Sequence, residues 1–325
     1  MSCQVCGNSK SNRSFLAKEM MFGLRSEFEY MECGNCFTVQ IVNVPHDLER
    51  YYPKDYYSFS GGLTTKGGFI TSYIRKERAK WLADGNFSII GILSSWLLPK
   101  PEPYKWIKQL GIRRTSSILE VGCGNGALLN WLSNEGFTNL TGVDPFVEKD
   151  ISNSNGFMLY KKKIQDLSGL YDCIMLNHSF EHMPTPHNTI RELSRLLKQD
   201  GRLLIRIPIS NTYAWSTYGA DWVQLDAPRH LFLYSQEAVK ILCQESDLIV
   251  DLIEFDSNDF QFWGSEQYQQ DIPLRDERSW AINPHLSKIT KDQIKDFRKK
   301  AIELNRKGDG DQACFYIRKG KALTA

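Results

Sequence analysis

The sequence predicts an α/β domain carrying a small cysteine-built appendage at its N-terminus, and three observations predict it. From Ser117 onward, short β-branched or apolar runs alternate with amphipathic stretches, the pattern of a parallel sheet covered by helices. One such run, Ile118-Leu119-Glu120-Val121, leads into the glycine-rich turn Gly122-Cys123-Gly124-Asn125-Gly126 and then a helical stretch. Two C-x-x-C pairs, Cys3/Cys6 and Cys33/Cys36, stand 26 residues apart near the start.

The 325 residues, 42% hydrophobic and 12% aromatic, suffice for one full-sized core and a small appendage. Forty basic and 38 acidic side chains leave a formal charge of +2, so no strong field exists to grip phosphate backbones. A small-molecule partner is expected and nucleic acid is not. Met1 to Lys10 lacks the basic and apolar segments of a secretory signal. The most apolar stretch, Phe87 to Leu98, is interrupted by Gly91, Ser94 and Ser95 and falls short of the roughly 20 residues that span a bilayer. The expectation is a cytoplasmic protein without a transmembrane segment; oligomeric state is not legible.

Taken in order, residues 1–44 read as a self-contained zinc-binding knuckle. Cytosolic thiols stay reduced, and paired C-x-x-C loops suit tetrahedral four-thiolate zinc, a closed structural site without a catalytic role. Residues 45–100 form an aromatic-rich connector (Tyr51, Tyr52, Tyr56, Tyr57, Phe59), punctuated by Gly61-Gly62 and Gly67-Gly68 before a helix over Phe69 to Ala83. Residues 101–325 form the main domain. Its strands are expected at Ser117–Val121, Leu140–Val143, Phe157–Tyr160, Cys173–Asn177, Arg202–Ile207, Leu248–Phe255 and Ala313–Ile317. Its helices are expected at Ala127–Asn134, Pro186–Lys198, Gln236–Glu245 and Lys291–Asn305, the last opened by a Thr290/Gln293 capping box. Gln199-Asp200-Gly201 reads as a helix stop before the next strand. The gap at about 256–310, with one helix and several aromatics, reads as an insertion that could cover a substrate.

The spacing Gly122-x-Gly124-x-x-Ala127 also satisfies a dinucleotide fingerprint, and Asp144, 22 residues after Gly122, suits ribose hydroxyls. Glu120 discriminates between cofactors. A carboxylate two positions before the first glycine repels a pyrophosphate, whereas S-adenosylmethionine brings an ammonium, a sulfonium and no phosphate.

The ordered set LEVGCGNG, VDP, YDCIMLNHSFEHMPTP and GRLLIRIP resembles the successive motifs of class I S-adenosylmethionine-dependent methyltransferases over about residues 115 to 255. The resemblance implies a Rossmann-like seven-stranded sheet with the last strand reversed. It implies that Glu120, Gly122, Gly124 and Gly126 surround the methionine moiety, together with Asn125 and with Cys123, whose better reading is a small packing residue. It further implies Asp144, followed by Pro145, at the ribose, and Asp166 with Leu167 near the adenine.

Methyl transfer needs an aligned nucleophile and somewhere for its proton to go. Asn177, His178, Glu181 and His182 follow the fourth strand, where the site of an open α/β sheet lies. Asn177 is placed with the cofactor, and His182, His178 and His230 are the candidate bases, against the alternative that they only cap structure. Trp215, Tyr218 and Trp222 could form a stacking wall, with Arg229 gripping a phosphate or carboxylate; an aromatic core segment is the alternative. The stretch PRHLFLYS is similar to one in bacterial methyltransferases of polysaccharide and secondary-metabolite pathways. A four-cysteine module ahead of a class I domain resembles the C-methyltransferases of nucleotide-linked deoxysugars. Together these imply methylation of an oxygen or carbon of a small molecule such as a nucleotide sugar or glycan intermediate. An RNA methyltransferase, an NAD-dependent sugar-modifying enzyme and a noncatalytic binding module are the rival readings.

Overall fold

The computed structural model describes residues 1–53, 68–152 and 156–320. Tyr56, Tyr57, Phe59, Gly61, Gly62 and Gly67 lie outside the described residues. Among the described residues, no helix is long and apolar enough to cross a membrane.

The chain opens with three antiparallel strands, β1 (Arg13–Lys18), β2 (Glu27–Glu32) and β3 (Val39–Ile41). Helices α1 (Phe69–Leu82), α2 (Ile89–Leu97) and α3 (Pro103–Leu110) follow. The main domain then alternates strand and helix: β4 (Ser117–Val121), α4 (Ala127–Asn134), β5 (Asn139–Val143), β6 (Ile151–Ser152), β7 (Phe157–Tyr160), β8 (Tyr171–Asn177), α5 (Pro186–Leu196) and β9 (Leu197–Pro208). Last come α6 (Tyr213–Tyr218), β10 (Phe232–Leu233), α7 (Gln236–Gln244), β11 (Leu248–Phe255), α8 (Phe260–Gln269), α9 (Lys291–Lys307) and β12 (Gln312–Lys319).

The main sheet runs β11-β12-β9-β8-β4-β5-β7-β6. Strands β4, β5, β7, β8 and β9 are mutually parallel, and β12 is antiparallel to both neighbours. The reversed last strand is therefore as expected, but the sheet has eight strands rather than seven. The eighth, β6, is a two-residue antiparallel pairing on the free edge of β7, too short to leave a periodic pattern. The central strand β4 is buried on both faces, with Ile118 in one core cluster and Leu119 in the other, as period-two alternation dictates.

Two expected boundaries move. Helix α5 stops at Leu196, and the chain passes directly into β9, where Leu197 already pairs with Tyr171. Gln199-Asp200-Gly201 therefore sits inside a strand rather than ending the helix; sheet pairing overrides the local stop signal. The segment between β11 and β12 carries two helices, α8 and α9, where one was expected. The capping box is present: the Thr290 hydroxyl accepts from Gln293 N at 3.2 Å and Gln293 Oε1 accepts from Thr290 N at 2.9 Å.

The N-terminal segment is not self-contained. Its sheet runs β1-β2-β3-β10, so the fourth strand comes from the main domain. Tyr30, Met31 and three of the cysteines belong to the same buried cluster as Leu119 and Ile174. A segment this small cannot bury a core alone, and here it borrows one.

Candidate active site

The carboxyl ends of β4, β5 and β8 define the site. Gly122, Gly124 and Gly126 all have positive φ, of 71°, 50° and 78°, a region only glycine enters without strain. A Cβ on Gly122 would stand 2.4 Å from Cβ of Ser179. The Ser179 hydroxyl donates to the carbonyl of Val121 at 2.8 Å, so the turn after β8 is packed onto the glycine loop.

Glu120 is 5% exposed, and its Oε2 has no hydrogen-bond partner among the described residues. Burial and then the charge of Asp144 push its carboxyl up to about 8. A buried acid without a partner is costly unless something cationic joins it. Asp144, also buried, accepts from Gly124 N and Phe146 N, each at 2.9 Å. It locks the glycine loop to the end of β5 and keeps free lone pairs for a ligand hydroxyl. Asn125 Oδ1 accepts from Ala127 N at 3.1 Å, starting α4. Cys123 is a packing residue: a Cβ on Gly142 would meet its sulfur at 2.7 Å, and burial pushes its thiol up.

Other expected cofactor contacts are placed as follows. Pro145 is exposed beyond β5. Asp166 is exposed and accepts from Lys163 N at 3.2 Å, while Leu167 is buried. Asn177 Oδ1 accepts from Arg206 at 3.1 Å.

The three histidines separate in role. His178, at φ 50°, receives the Arg206 guanidinium on Nε2 at 2.6 Å. That nitrogen is occupied by a permanent cation, so His178 is not a base here. His182 Nδ1 lies 2.8 Å from the carbonyl of Arg229, and the Tyr52 hydroxyl is 3.2 Å from the same nitrogen. His230 Nδ1 lies 2.7 Å from the carbonyl of Gln224. A carbonyl only accepts, so both Nδ1 atoms carry hydrogen, and the lone pair of the neutral ring lies on Nε2. The two rings stand edge to face, 4.8 Å apart. Burial first and His182 second press His230 down to about 4, keeping it neutral at physiological pH. Glu181 is fully buried between them; burial raises its carboxyl, but the facing histidines, His178 foremost, outweigh that and leave it lowered.

The expected substrate wall is not built from Arg229 and Trp222. Arg229 is fully buried, with hydrogen bonds to Asp226 Oδ1 at 2.5 Å, Glu19 Oε1 at 2.9 Å and the carbonyl of Tyr51 at 3.2 Å. Its fork is consumed by internal carboxylates, leaving nothing for a phosphate. Trp222 is fully buried and donates to Asp311 at 2.9 Å. Trp215, 5% exposed, donates to Glu32 of β2 at 2.7 Å. Tyr218 is half-buried. The two tryptophans are core, which the alternative reading had allowed, and Tyr218 packs against them. Tyr52 and Glu19 were missed as contributors, since their partners lie 130 and 210 residues away and no spacing reveals such pairs.

The four N-terminal cysteines converge. Cys3 and Cys36 sulfurs are 3.6 Å apart, as are Cys6 and Cys33, and all four lie within 4.8 Å of one another. A zinc tetrahedron with bonds of about 2.3 Å has edges of about 3.8 Å, so the donor set fits. Val5 N and Asn35 N each point at a cysteine sulfur at 3.4 Å. Behind the cluster, the Ser235 hydroxyl donates to the carbonyl of Cys36 and the Ser210 hydroxyl to that of Phe37, both at 2.6 Å.

Glycine loop, acidic strand ends and mixed sheet together define an α/β domain of the Rossmann-like kind. Residues 100–252 match the family described as "Methyltransferase domain". The chain is similar to the ubiquinone biosynthesis O-methyltransferases of Pseudomonas aeruginosa (24% identical over 142 residues, 40% of this chain and 61% of that protein) and Sodalis glossinidius (29% over 126 residues, 35% and 50%). It therefore spans only half to three fifths of those relatives' length. Among solved structures it is similar to a cyclopropane synthase from Mycobacterium tuberculosis, with TM-score 0.42 and 16% identity over 65% of this chain and 80% of that one. It is also similar to an O-methyltransferase from a polyketide synthase multienzyme of Brevibacillus brevis, with TM-score 0.40 and 15% identity over 86% and 77%.

Proposed function

We propose that this protein transfers a methyl group from S-adenosylmethionine to a hydroxyl oxygen of a small-molecule acceptor. The observation that carries the reading is the buried, unpartnered Oε2 of Glu120 beside a three-glycine turn. A carboxylate in that place favours a cationic ligand over a pyrophosphate. S-adenosylmethionine, when bound, supplies a methyl group on positively charged sulfur.

The residues divide the work. Glu120 ionises to face the cofactor's charge, Asp144 holds the ribose, and the glycine turn lets the backbone approach. The turn after β8, pinned to that loop through Ser179, brings Glu181 and His182 alongside, and His230 completes the group. This cluster is where the acceptor's proton leaves, and the unprotonated Nε2 atoms of His182 and His230 are its basic points. Oxygen rather than carbon is favoured because the curated relatives are named O-methyltransferases. A nucleotide sugar or glycan intermediate remains the acceptor class suggested by the PRHLFLYS stretch, although Arg229 no longer supports a phosphate on it. The four cysteines hold a structural zinc that fixes the sheet on which His230 rests.

Calorimetry with S-adenosylmethionine and with NAD tests the cofactor. Release of S-adenosylhomocysteine over a panel of phenols, nucleotide sugars and lipid-linked glycans tests the acceptor. Tight binding of the sulfonium with turnover on at least one hydroxyl is expected; preference for the dinucleotide would overturn the reading.

A further inference from the structure

Glu181, His182 and His230 come from two stretches of chain, the turn after β8 and the segment before β10. Each offers one ligand atom, and the three atoms lie within 4.8 Å of one another. Two features of this cluster suit a bound metal ion. Both oxygens of the fully buried Glu181 carboxylate lack a hydrogen-bond partner among the described residues. Nδ1 of His178 stands 3.4 Å from Oε1 and Nε2 of His230 stands 3.9 Å from it, near enough to attract and too poorly placed to bond. An ionised carboxylate left so is expensive.

Both imidazoles are also pre-set. Each gives its Nδ1 hydrogen to a backbone carbonyl, of Arg229 and of Gln224, at 2.8 and 2.7 Å. That is the arrangement by which histidine ligands are held with Nε2 aimed at a metal. The rings cannot relax toward Glu181 by flipping without breaking those bonds.

We propose that Glu181, His182 and His230 bind a divalent first-row metal ion at the acceptor end of the site. Two imidazoles and one carboxylate on one side of an ion leave its remaining positions open. Ligand atoms around such an ion sit about 3 to 4 Å apart, given bonds of about 2.1 Å, so the cluster needs to close by about 1 to 2 Å. Asp226, whose Oδ2 is 3.9 Å from His230 Nε2, is committed to Arg229 and stays outside the set. His178 is excluded because Arg206 occupies its Nε2.

The role of the ion rests on the methyl-transfer reading; its binding does not. With both Nε2 atoms given to the ion, the imidazoles act as ligands in place of bases, and an acceptor hydroxyl in an open position would lose its proton to solvent, the cation stabilising the oxyanion. That oxygen would then form the bond to the methyl carbon as the carbon–sulfur bond breaks and sulfur keeps the electron pair.

Mn2+ is a suitable probe because it is a hard ion that four thiolates attract weakly. Titrating the full chain, its cysteine site loaded with zinc, and following free Mn2+ by electron paramagnetic resonance should show about one bound ion per chain. Pulsed spectra of the bound ion should carry nitrogen couplings from imidazole. Glu181→Gln and His230→Gln should each weaken binding at least tenfold. Calorimetry with S-adenosylmethionine serves as the folding check, and if a variant fails it, the nitrogen couplings in the unaltered protein decide. Absence of a bound ion, bound Mn2+ without nitrogen couplings, or unchanged affinity in a folded Glu181→Gln variant would overturn the site. A chain that binds Mn2+ with imidazole couplings but ignores S-adenosylmethionine keeps the metal site and loses the methyl-transfer reading.

Discussion

The Tyr30 hydroxyl donates to the backbone carbonyl of His230 at 2.9 Å, from a fully buried position in β2. With Ile41 N bonded to the carbonyl of Leu231 at 2.9 Å, it ties the N-terminal sheet to the segment that carries a candidate acceptor-site histidine. Under the proposed function, the cysteine-built module therefore serves as a wall of the site.

Tyr30→Phe removes that donor and leaves a buried carbonyl unsatisfied, at a cost of about 1 to 3 kcal/mol. Turnover should fall several-fold while affinity for S-adenosylmethionine stays level, because the cofactor loop is not touched. Urea denaturation and steady-state kinetics on the same preparation separate the two effects; equal losses in binding and turnover would contradict the wall.

Removing the metal should act along the same route. Wild-type protein is expected to hold about one zinc at the four cysteines, and Cys36→Ser should release it. Hydrogen exchange at Ile41, whose amide bonds the carbonyl of Leu231, should then speed up along with the amides of β10. Unchanged protection in the metal-free chain would show that the cysteines do not hold the sheet.

Glu120→Gln should weaken S-adenosylmethionine binding at least tenfold. Because burial lifts the Glu120 carboxyl to about 8, the empty site is protonated at neutral pH and must ionise to meet a cation. Affinity of the wild type should therefore climb as pH rises toward 8 and be lost on acidification, with a proton released on binding. Calorimetry in buffers of different ionisation enthalpy reads that proton directly. The glutamine variant should show neither the slope nor the release.

Gly122→Ala places a Cβ 2.4 Å from Cβ of Ser179 at a φ of 71°. Strain and overlap should cost about 1 to 3 kcal/mol and displace the turn that carries Glu181 and His182. Loss of both cofactor affinity and turnover is expected; a variant with wild-type binding would mean that the contact between Gly122 and Ser179 is unimportant.

Arg229→Met tests whether this residue is structural. It leaves Glu19 and Asp226 buried without their cation, a loss of about 3 to 5 kcal/mol. In the wild type, burial raises the Asp226 carboxyl but Arg229 outweighs it, leaving it lowered. Its stabilisation is thus present above the usual carboxylate range and fades as pH falls through the folded value. In the variant burial of Asp226 is no longer outweighed, so its carboxyl is raised instead and the deficit against wild type should be larger at pH 8 than at pH 5. A variant of normal stability with only a raised KM for an anionic acceptor would restore Arg229 as a substrate ligand.

What the sequence determined by itself are the features written in short-range chemistry. Strands β4 and β11, helix α4 and the Thr290 capping box lie where local pattern put them, since period, capping and turn residues act within a few positions. The glycine turn and Glu120 were legible for the same reason. Only the tertiary structure decided which of three histidines keep a free nitrogen, because that depends on Arg206 and the carbonyl of Arg229, 28 and 47 residues from their partners, and on a loop that folds Gln224 back onto His230. It also turned Arg229 and Trp222 from a surface wall into core. An arginine and an indole read the same in sequence whether their partner is a ligand or a buried carboxylate, and only packing, which brings Glu19 and Asp311 to them, removes the ambiguity.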